Sequence, residues 1–227
     1  MSMRRRRYRA PLVAGALILI VGVTACGGSQ PISGVRASLA RVAGTACLKP
    51  ILATAVVVED GLLLTVAHAI AGAEQDLRAV DLEGTEREVL VVAFDPARDL
   101  ALLAVDGFDD PIDVVTPKEG GAGIITAVNG DLEVDEIAYR INRIVTASSG
   151  DIYDEGQVLR QALDIEAEIG PGDSGAPLLD ARGAMVGVVF ATSTGVAGSA
   201  WALHASEIEA FLGAPRTGAE VDRGRCR

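Results

Sequence analysis

The body of the chain is written in short apolar runs, rich in Val, Leu and Ile and each closed by turn residues. In the first half they occupy 51–58, 62–67, 88–93 and 100–105, separated by Glu59-Asp60-Gly61, Glu83-Gly84 and Asp95-Pro96. Such lengths suit strands. A break rich in Pro and Gly runs from Pro111 to Gly123, and a second set follows at 124–128, 134–145, 158–165, 176–179, 185–191 and 199–203. Asn129-Gly130 is a hairpin signal. Ile137, Tyr139 and Ile141 alternate with Ala138, Arg140 and Asn142, which gives one buried and one wet face. Two strand sets around one break predict an all-β chain of two small barrels, the first over about 45–112 and the second over about 122–205. A helix is expected at 206–213. Ser206 with Glu209 reads as a capping box, Ile208, Phe211 and Leu212 supply an apolar face, and Gly213 ends it. No repeat stands out, and no further domain is expected after Gly213.

Composition removes several classes. At 49% hydrophobic residues the chain can bury a core and is not a disordered one. Three cysteines in 227 residues are too few for a disulfide-dense miniprotein. Two histidines leave little for a histidine-based metal site, and no metal or cofactor is expected. A net charge of −11 argues against a nucleic-acid partner, which needs a basic face.

The first residues read as a targeting segment. Arg4 to Arg7 and Arg9 precede an uncharged stretch from Pro11 to Ala25. That stretch is short for a membrane span and suits a signal peptide over 1–25. It ends in Val23-Thr24-Ala25-Cys26, which resembles the bacterial lipoprotein signal, where the Cys is lipidated and becomes the new N-terminus. An uncleaved anchor helix and a plain secretory signal are the alternatives, and the paired arginines match a twin-arginine signal only weakly. Cleavage before Cys26 leaves 202 residues with a net charge of −16, so attachment to the outer face of the cytoplasmic membrane would rest on acyl chains. Residues 26–44, rich in Gly, Ser and Ala, read as a flexible tether, and the folded domain as 45–227. With Cys26 used by lipid, Cys47 and Cys226 remain as one disulfide pair, which would support the cleft. Free thiols or an intermolecular bridge are the alternatives.

Three segments carry chemistry. Gly170-Pro171-Gly172-Asp173-Ser174-Gly175-Ala176-Pro177 sets a serine among glycines. A serine hydroxyl needs a base to become a nucleophile, and backbone N–H donors for the oxyanion it creates; the plainer reading is a turn. Leu62-Leu63-Leu64-Thr65-Val66-Ala67-His68 delivers a histidine at a strand end, and His204 is the other histidine. Phe94-Asp95-Pro96-Ala97-Arg98-Asp99-Leu100 opens a strand with an acid that burial would oblige to find a partner; otherwise Asp95 and Asp99 are both solvated.

The order His68, Asp99, Ser174 is one of the known triad orders. Thr-Val-Ala-His resembles the histidine motif of trypsin-like serine proteases, Arg-Asp-Leu-Ala-Leu-Leu the aspartate motif and Gly-Asp-Ser-Gly-Ala-Pro the nucleophile motif. The resemblance runs from about Cys47 to Gly213. It is nearest to the periplasmic acid-resistance serine proteases of actinobacteria, through Asp151-Ile152-Tyr153, the strand Val186 to Phe190 and the flanking cysteines. It implies two six-stranded antiparallel Greek-key barrels of chymotrypsin type with a short C-terminal helix. Ser174 would be the nucleophile, His68 its base and Asp99 the orienting acid, with the N–H groups of Gly172 and Ser174 as oxyanion hole. Glu168, Ile169, Phe190, Ala191, Thr192 and Ala202 would line the substrate pocket. Glu168 would either favour a basic substrate side chain or point to solvent beside a small apolar pocket walled by Phe190. The chain departs from the family pattern at Ala176, usually glycine, and at Val66, usually alanine.

The reading is thus a lipid-tethered serine endopeptidase that takes proteins or peptides of the cell envelope. The alternative is a catalytically silent relative that binds peptides as an adaptor. An esterase is distant, since Gly-x-Ser-x-Gly is broken by Ala176.

Overall fold

The computed structural model describes residues 34–193, 195–216 and 218–227. The expected signal peptide 1–25, Cys26 and the start of the expected tether lie outside them.

Thirteen strands and two α-helices make up the described fold. The first half contributes β1 (Leu39–Ala46), β2 (Lys49–Glu59), β3 (Leu62–Thr65), α1 (Ala67–Ile70), β4 (Arg78–Val80), β5 (Glu86–Glu88), β6 (Leu90–Asp95) and β7 (Leu100–Ala104). The second contributes β8 (Ala122–Val128), β9 (Val134–Ser149), β10 (Val158–Glu166), β11 (Pro177–Leu179), β12 (Met185–Thr192), β13 (Ser199–His204) and α2 (Ala205–Leu212). All named pairings are antiparallel.

The second half is a closed six-stranded barrel in the order β10-β13-β12-β11-β8-β9, as expected. The first half is a seven-stranded sheet, β5-β4-β1-β2-β3-β7-β6. Its two edge strands, β5 and β6, are separated by Val89 alone. One bent stretch of chain therefore serves both edges and rolls the sheet up, so the run expected at 88–93 is two strands rather than one.

Part of the expected tether is strand. β1 pairs along its whole length with β2, from Leu39 opposite Val56 to Ala46 opposite Lys49. Leu39, Ala40 and Val42 are buried. The two-residue turn that joins these strands is Cys47-Leu48, with φ of 54° and 65°. A hairpin turn of this kind usually carries Asn-Gly, so nothing in the local sequence announces it. At Asn129-Gly130 the loop is longer than a two-residue turn. Asn129 Oδ1 accepts from Asp131 N and Glu133 N, both at 3.0 Å.

Alternation sorts the strands into three apolar clusters. Ala40, Val42, Ala53, Ala55, Leu63, Ala101 and Leu103 fill the first barrel. Ile125, Tyr139, Ile141, Leu163, Ile165 and Val189 fill the second. The opposite faces, with Leu64, Leu100, Leu102, Val188 and Leu203, meet between the barrels and under Ile208 and Phe211 of α2. Many alanines keep the first barrel narrow enough to be packed solid, with Phe108 buried among them.

Candidate active site

His68 does not sit on a strand end but in the first turn of α1, after β3 has ended at Thr65. Its backbone N–H, one of the helix's orphan donors, donates to Asp99 Oδ1 at 2.8 Å. The same carboxylate holds the ring, with Oδ2 2.8 Å from Nδ1. Asp99 is thus bonded twice to one residue and is only 3% exposed. An acceptor at Nδ1 fixes the proton there and leaves Nε2 free to accept.

The turn between β6 and β7 presents Asp99. Asp95 Oδ1 accepts from Ala97 N and Arg98 N, each at 2.9 Å. The Arg98 guanidinium bonds Asp95 Oδ2 at 2.7 Å and reaches Glu207 of α2 at 3.3 Å. Asp95 is therefore a turn-builder, not a solvated acid. The chain leaves this turn with Asp99 at φ 62°, a left-handed conformation that Asp tolerates better than most residues. Neither carboxylate is simply solvated.

Ser174 lies in the loop between β10 and β11, with Oγ 3.2 Å from His68 Nε2. Hydrogen bonds inside the loop define its path. Gly170 N donates to Asp173 Oδ2 at 2.7 Å. Asp173 N donates to Gly170 O at 3.2 Å, and Ala176 N to Asp173 O at 3.0 Å. Burial pushes the Asp173 carboxyl above its ordinary value; the Gly170 N–H pulls it down and the charge of Asp135 adds to the rise. Gly172 and Gly175 have φ of 103° and 85°. A Cβ on Gly175 would stand 2.1 Å from Thr54 O. Both glycines are therefore required by geometry. The N–H groups of Gly172 and Ser174 donate to no group among the described residues, which leaves them for a ligand.

Three of the six expected pocket residues line one hollow of about 290 Å³ beside this loop. Glu168, Ile169 and Thr192 bound it together with Ala167, Ser193 and Gly198. The other three do not. Ala202 is buried among the residues that fill the second barrel. Val189 packs inside that barrel, while its neighbour Phe190, at a bulge in β12, packs against the cluster between the barrels. There the Arg160 guanidinium lies 6.0 Å from its ring centroid. Ala191 is paired with Trp201 in the β12–β13 ladder and does not line the hollow. Phe190 thus stands outside this hollow. Glu168 is exposed and has no ion pair or hydrogen bond among the described residues.

The second histidine is accounted for by structure. His204 Nδ1 accepts from Ser206 N at 2.9 Å and caps α2. The cap is thus His204, two residues earlier than the Ser206 expected. Burial holds its imidazole below the ordinary value, with Glu207 and Glu209 pulling the other way. Sequence reasoning missed Thr54 and met Thr65 only as the first residue of the Thr-Val-Ala-His motif; both are fully buried. Thr65 Oγ1 donates to Thr54 O at 2.8 Å, and Thr54 N to Ser174 O at 2.9 Å. Inside its apolar strand Thr54 carried no signal beyond being a hydroxyl in a hydrophobic run.

Residues 53–188 match the family described as the trypsin-like peptidase domain. The serine protease Rv3671c of Mycobacterium tuberculosis is 30% identical over 79% of this chain and 46% of its own length. A probable periplasmic DegP-like serine endoprotease of Pseudomonas fluorescens is 28% identical over 73% of this chain and 35% of its own. The chain thus spans less than half the length of these curated relatives. The crystal structure of the Mycobacterium tuberculosis protease in its active form superposes with a TM-score of 0.81 at 26% identity, covering 99% of each chain.

Proposed function

The chain belongs to the trypsin-like peptidase family, and on that footing we propose that it is an extracytoplasmic serine endopeptidase working through His68, Asp99 and Ser174. The observation that carries the reading is the unbroken line of contacts from Asp99 Oδ2 to His68 Nδ1 at 2.8 Å and from His68 Nε2 to Ser174 Oγ at 3.2 Å. His68 takes the Ser174 proton as Oγ attacks the scissile carbonyl. The Asp99 carboxylate holds the tautomer and stabilises the imidazolium, which then gives its proton to the leaving amine. Water enters, His68 acts as base again, and the acyl group leaves Ser174. The free N–H groups of Gly172 and Ser174 receive the negative oxygen in both halves of the reaction. The hollow bounded by Ala167, Ile169 and Gly198 takes a small side chain, or a basic one reaching Glu168, and an acidic one meets repulsion there.

Residues 1–25 serve as the export signal and Cys26 as the lipid attachment site, so that the enzyme acts on envelope proteins from the membrane surface. The supports are the Arg-rich start, the uncharged stretch and the small residues before Cys26. Periplasmic placement of a relative agrees with it.

One preparation tests both parts. Full-length protein from membranes is treated with a fluorophosphonate probe, with Ser174→Ala as control, and the peptide containing Cys26 is weighed by mass spectrometry. Labelling lost only in the variant, with acyl mass on Cys26, is the expected result. An unlabelled native protein would leave a peptide-binding adaptor, and an unacylated Cys26 would remove the tether.

A further inference from the structure

Thr54 lies on β2, in the first barrel, far in sequence from the nucleophile loop. All its polar atoms are engaged, and most of them with groups outside its own barrel. Its N–H donates to Ser174 O at 2.9 Å. Its hydroxyl donates to Gly172 O at 3.4 Å and accepts from Val128 N, at the end of β8, at 2.9 Å. Its carbonyl takes the Thr65 hydroxyl at 2.8 Å. The residue is 0% exposed, so none of these bonds has water as an alternative partner.

We propose that Thr54 is a positioning residue for the oxyanion hole. The inference rests on the assignment of Gly172 and Ser174 N–H as that hole. Two peptide planes are held from β2, the one after Gly172 and the one after Ser174. Between them, the plane joining Asp173 to Ser174 is fixed by Ala176 N on Asp173 O, 3.0 Å away. The weak point is Gly172. It has no Cβ to restrict rotation and stands at φ 103°, so the plane carrying its N–H can swing about the N–Cα bond at little cost. On the far side of that bond, the Thr54 hydroxyl is the one side-chain donor among the described residues on Gly172 O. Leu52, two residues earlier on β2, closes the other side. A Cβ on Gly172 would meet its Cδ2 at 3.2 Å. The hydroxyl in turn is anchored by Val128 N, so one side chain ties β2, β8 and the nucleophile loop where the two barrels meet.

Geometry at this donor matters in proportion to what a donor is worth. Deleting one oxyanion donor outright costs about 10²–10³ in kcat, and loosening it costs a fraction of that. Thr54→Val keeps the shape and removes the hydroxyl; Thr54→Ser keeps the hydroxyl and removes the methyl. The expected result is a fall in kcat of roughly tenfold for Thr54→Val, with KM little changed, and near-native kcat for Thr54→Ser. Affinity for a peptide boronate, whose tetrahedral adduct occupies the hole, falls in parallel with kcat. Thermal unfolding of each variant shows whether it is folded, and Thr54→Ala carries the same expectation if the valine variant is not. Native kcat in Thr54→Val, or a loss that Thr54→Ser shares, overturns the positioning role while the protease reading stands. Absence of turnover and probe labelling in the native protein overturns both.

Discussion

At the residue scale the site depends on how few atoms Asp99 leaves idle. Its two oxygens hold one residue at two places, the ring and the backbone N–H of His68. Asp99→Asn keeps the size and can still accept from one of them. Its amide must then face the other with a donor, and that favours the wrong imidazole tautomer. kcat is expected to fall by about 10⁴, with KM and the unfolding temperature much less affected; steady-state kinetics beside a thermal melt checks this, and a native kcat would show that Asp99 does not orient the base. His68, Asp99 and Ser174 were legible because each sits in a short run of unusual composition whose order restricts the choices. Thr54 was not. A buried hydroxyl in an apolar strand looks the same whether it satisfies its own ladder or holds a loop from another barrel, and only the fold distinguishes the two. The pocket was half legible for a related reason. Glu168 and Ile169 lie on irregular backbone just before the Ser174 loop, and Thr192 ends β12. Phe190 is the extra residue of a bulge in β12, between Val189 opposite Ala202 and Ala191 opposite Trp201, so alternation along the run did not foretell its direction.

At the element scale α2 shows a cap that titrates. Its N-cap acceptor is His204 Nδ1, which can take the Ser206 N–H only while unprotonated there. Burial lowers the folded pKa from 6.5, so below about that pH the unfolded chain binds a proton that the folded chain resists. Unfolding is therefore favoured progressively as pH falls from about 6.5 and levels off beneath the folded value. Asp173 works in the opposite sense. Its raised carboxyl pKa means that the folded chain holds a proton more tightly than the unfolded one, which adds stability on acidification. Comparing variants isolates the histidine. His204→Asn supplies an acceptor that does not titrate, and its stability relative to native should improve as pH is lowered through 6.5. His204→Ala should lose about 1 kcal/mol at neutral pH. Denaturant unfolding across pH 5–8 reads both, and parallel curves for native and His204→Asn would show that the cap does not titrate there. Most strands could be read from apolar runs, since runs of that length have few other uses. β1 could not, because alanine and glycine dominate Leu39–Ala46 and its turn, Cys47-Leu48, takes left-handed φ without glycine or asparagine.

At the scale of the whole molecule the last residues act as a strap, which no periodicity in 214–227 could have announced. From the end of α2 on the second barrel, the chain crosses the first. The Arg216 guanidinium grips both oxygens of Glu59, at 2.8 and 3.1 Å. Val221 N donates to Val91 O at 2.8 Å, and Arg223 O accepts from Gly72 N at 3.0 Å. Gly224 passes where a Cβ would meet the Tyr153 hydroxyl at 2.0 Å. Arg225 pairs with Glu155, and its guanidinium lies 4.6 Å from the Tyr153 ring centroid. The chain then closes through the Cys47–Cys226 disulfide, a pairing the cysteine count had suggested. Tyr153 belongs to a loop of the second barrel whose Ile152 N donates to Pro96 O at 3.2 Å, and Pro96 lies in the turn that presents Asp99. The strap thus braces, through one loop, the turn that presents Asp99. The bond spans 179 residues, for which the chain-entropy treatment gives about 5 kcal/mol as an upper figure, and loss of such a bond typically costs 2–5 kcal/mol. Cys226→Ser should therefore unfold at a temperature lower by roughly 5–15 °C, since each kcal/mol is worth about 2–4 °C in a domain of this size. Because the brace ends at the Asp99 turn, turnover should fall as well, and Tyr153→Ala should reproduce that fall with the disulfide intact. A Cys226→Ser protein with native melting temperature and native turnover would show that the strap braces nothing. One that melts early yet turns over normally would confine its role to stability.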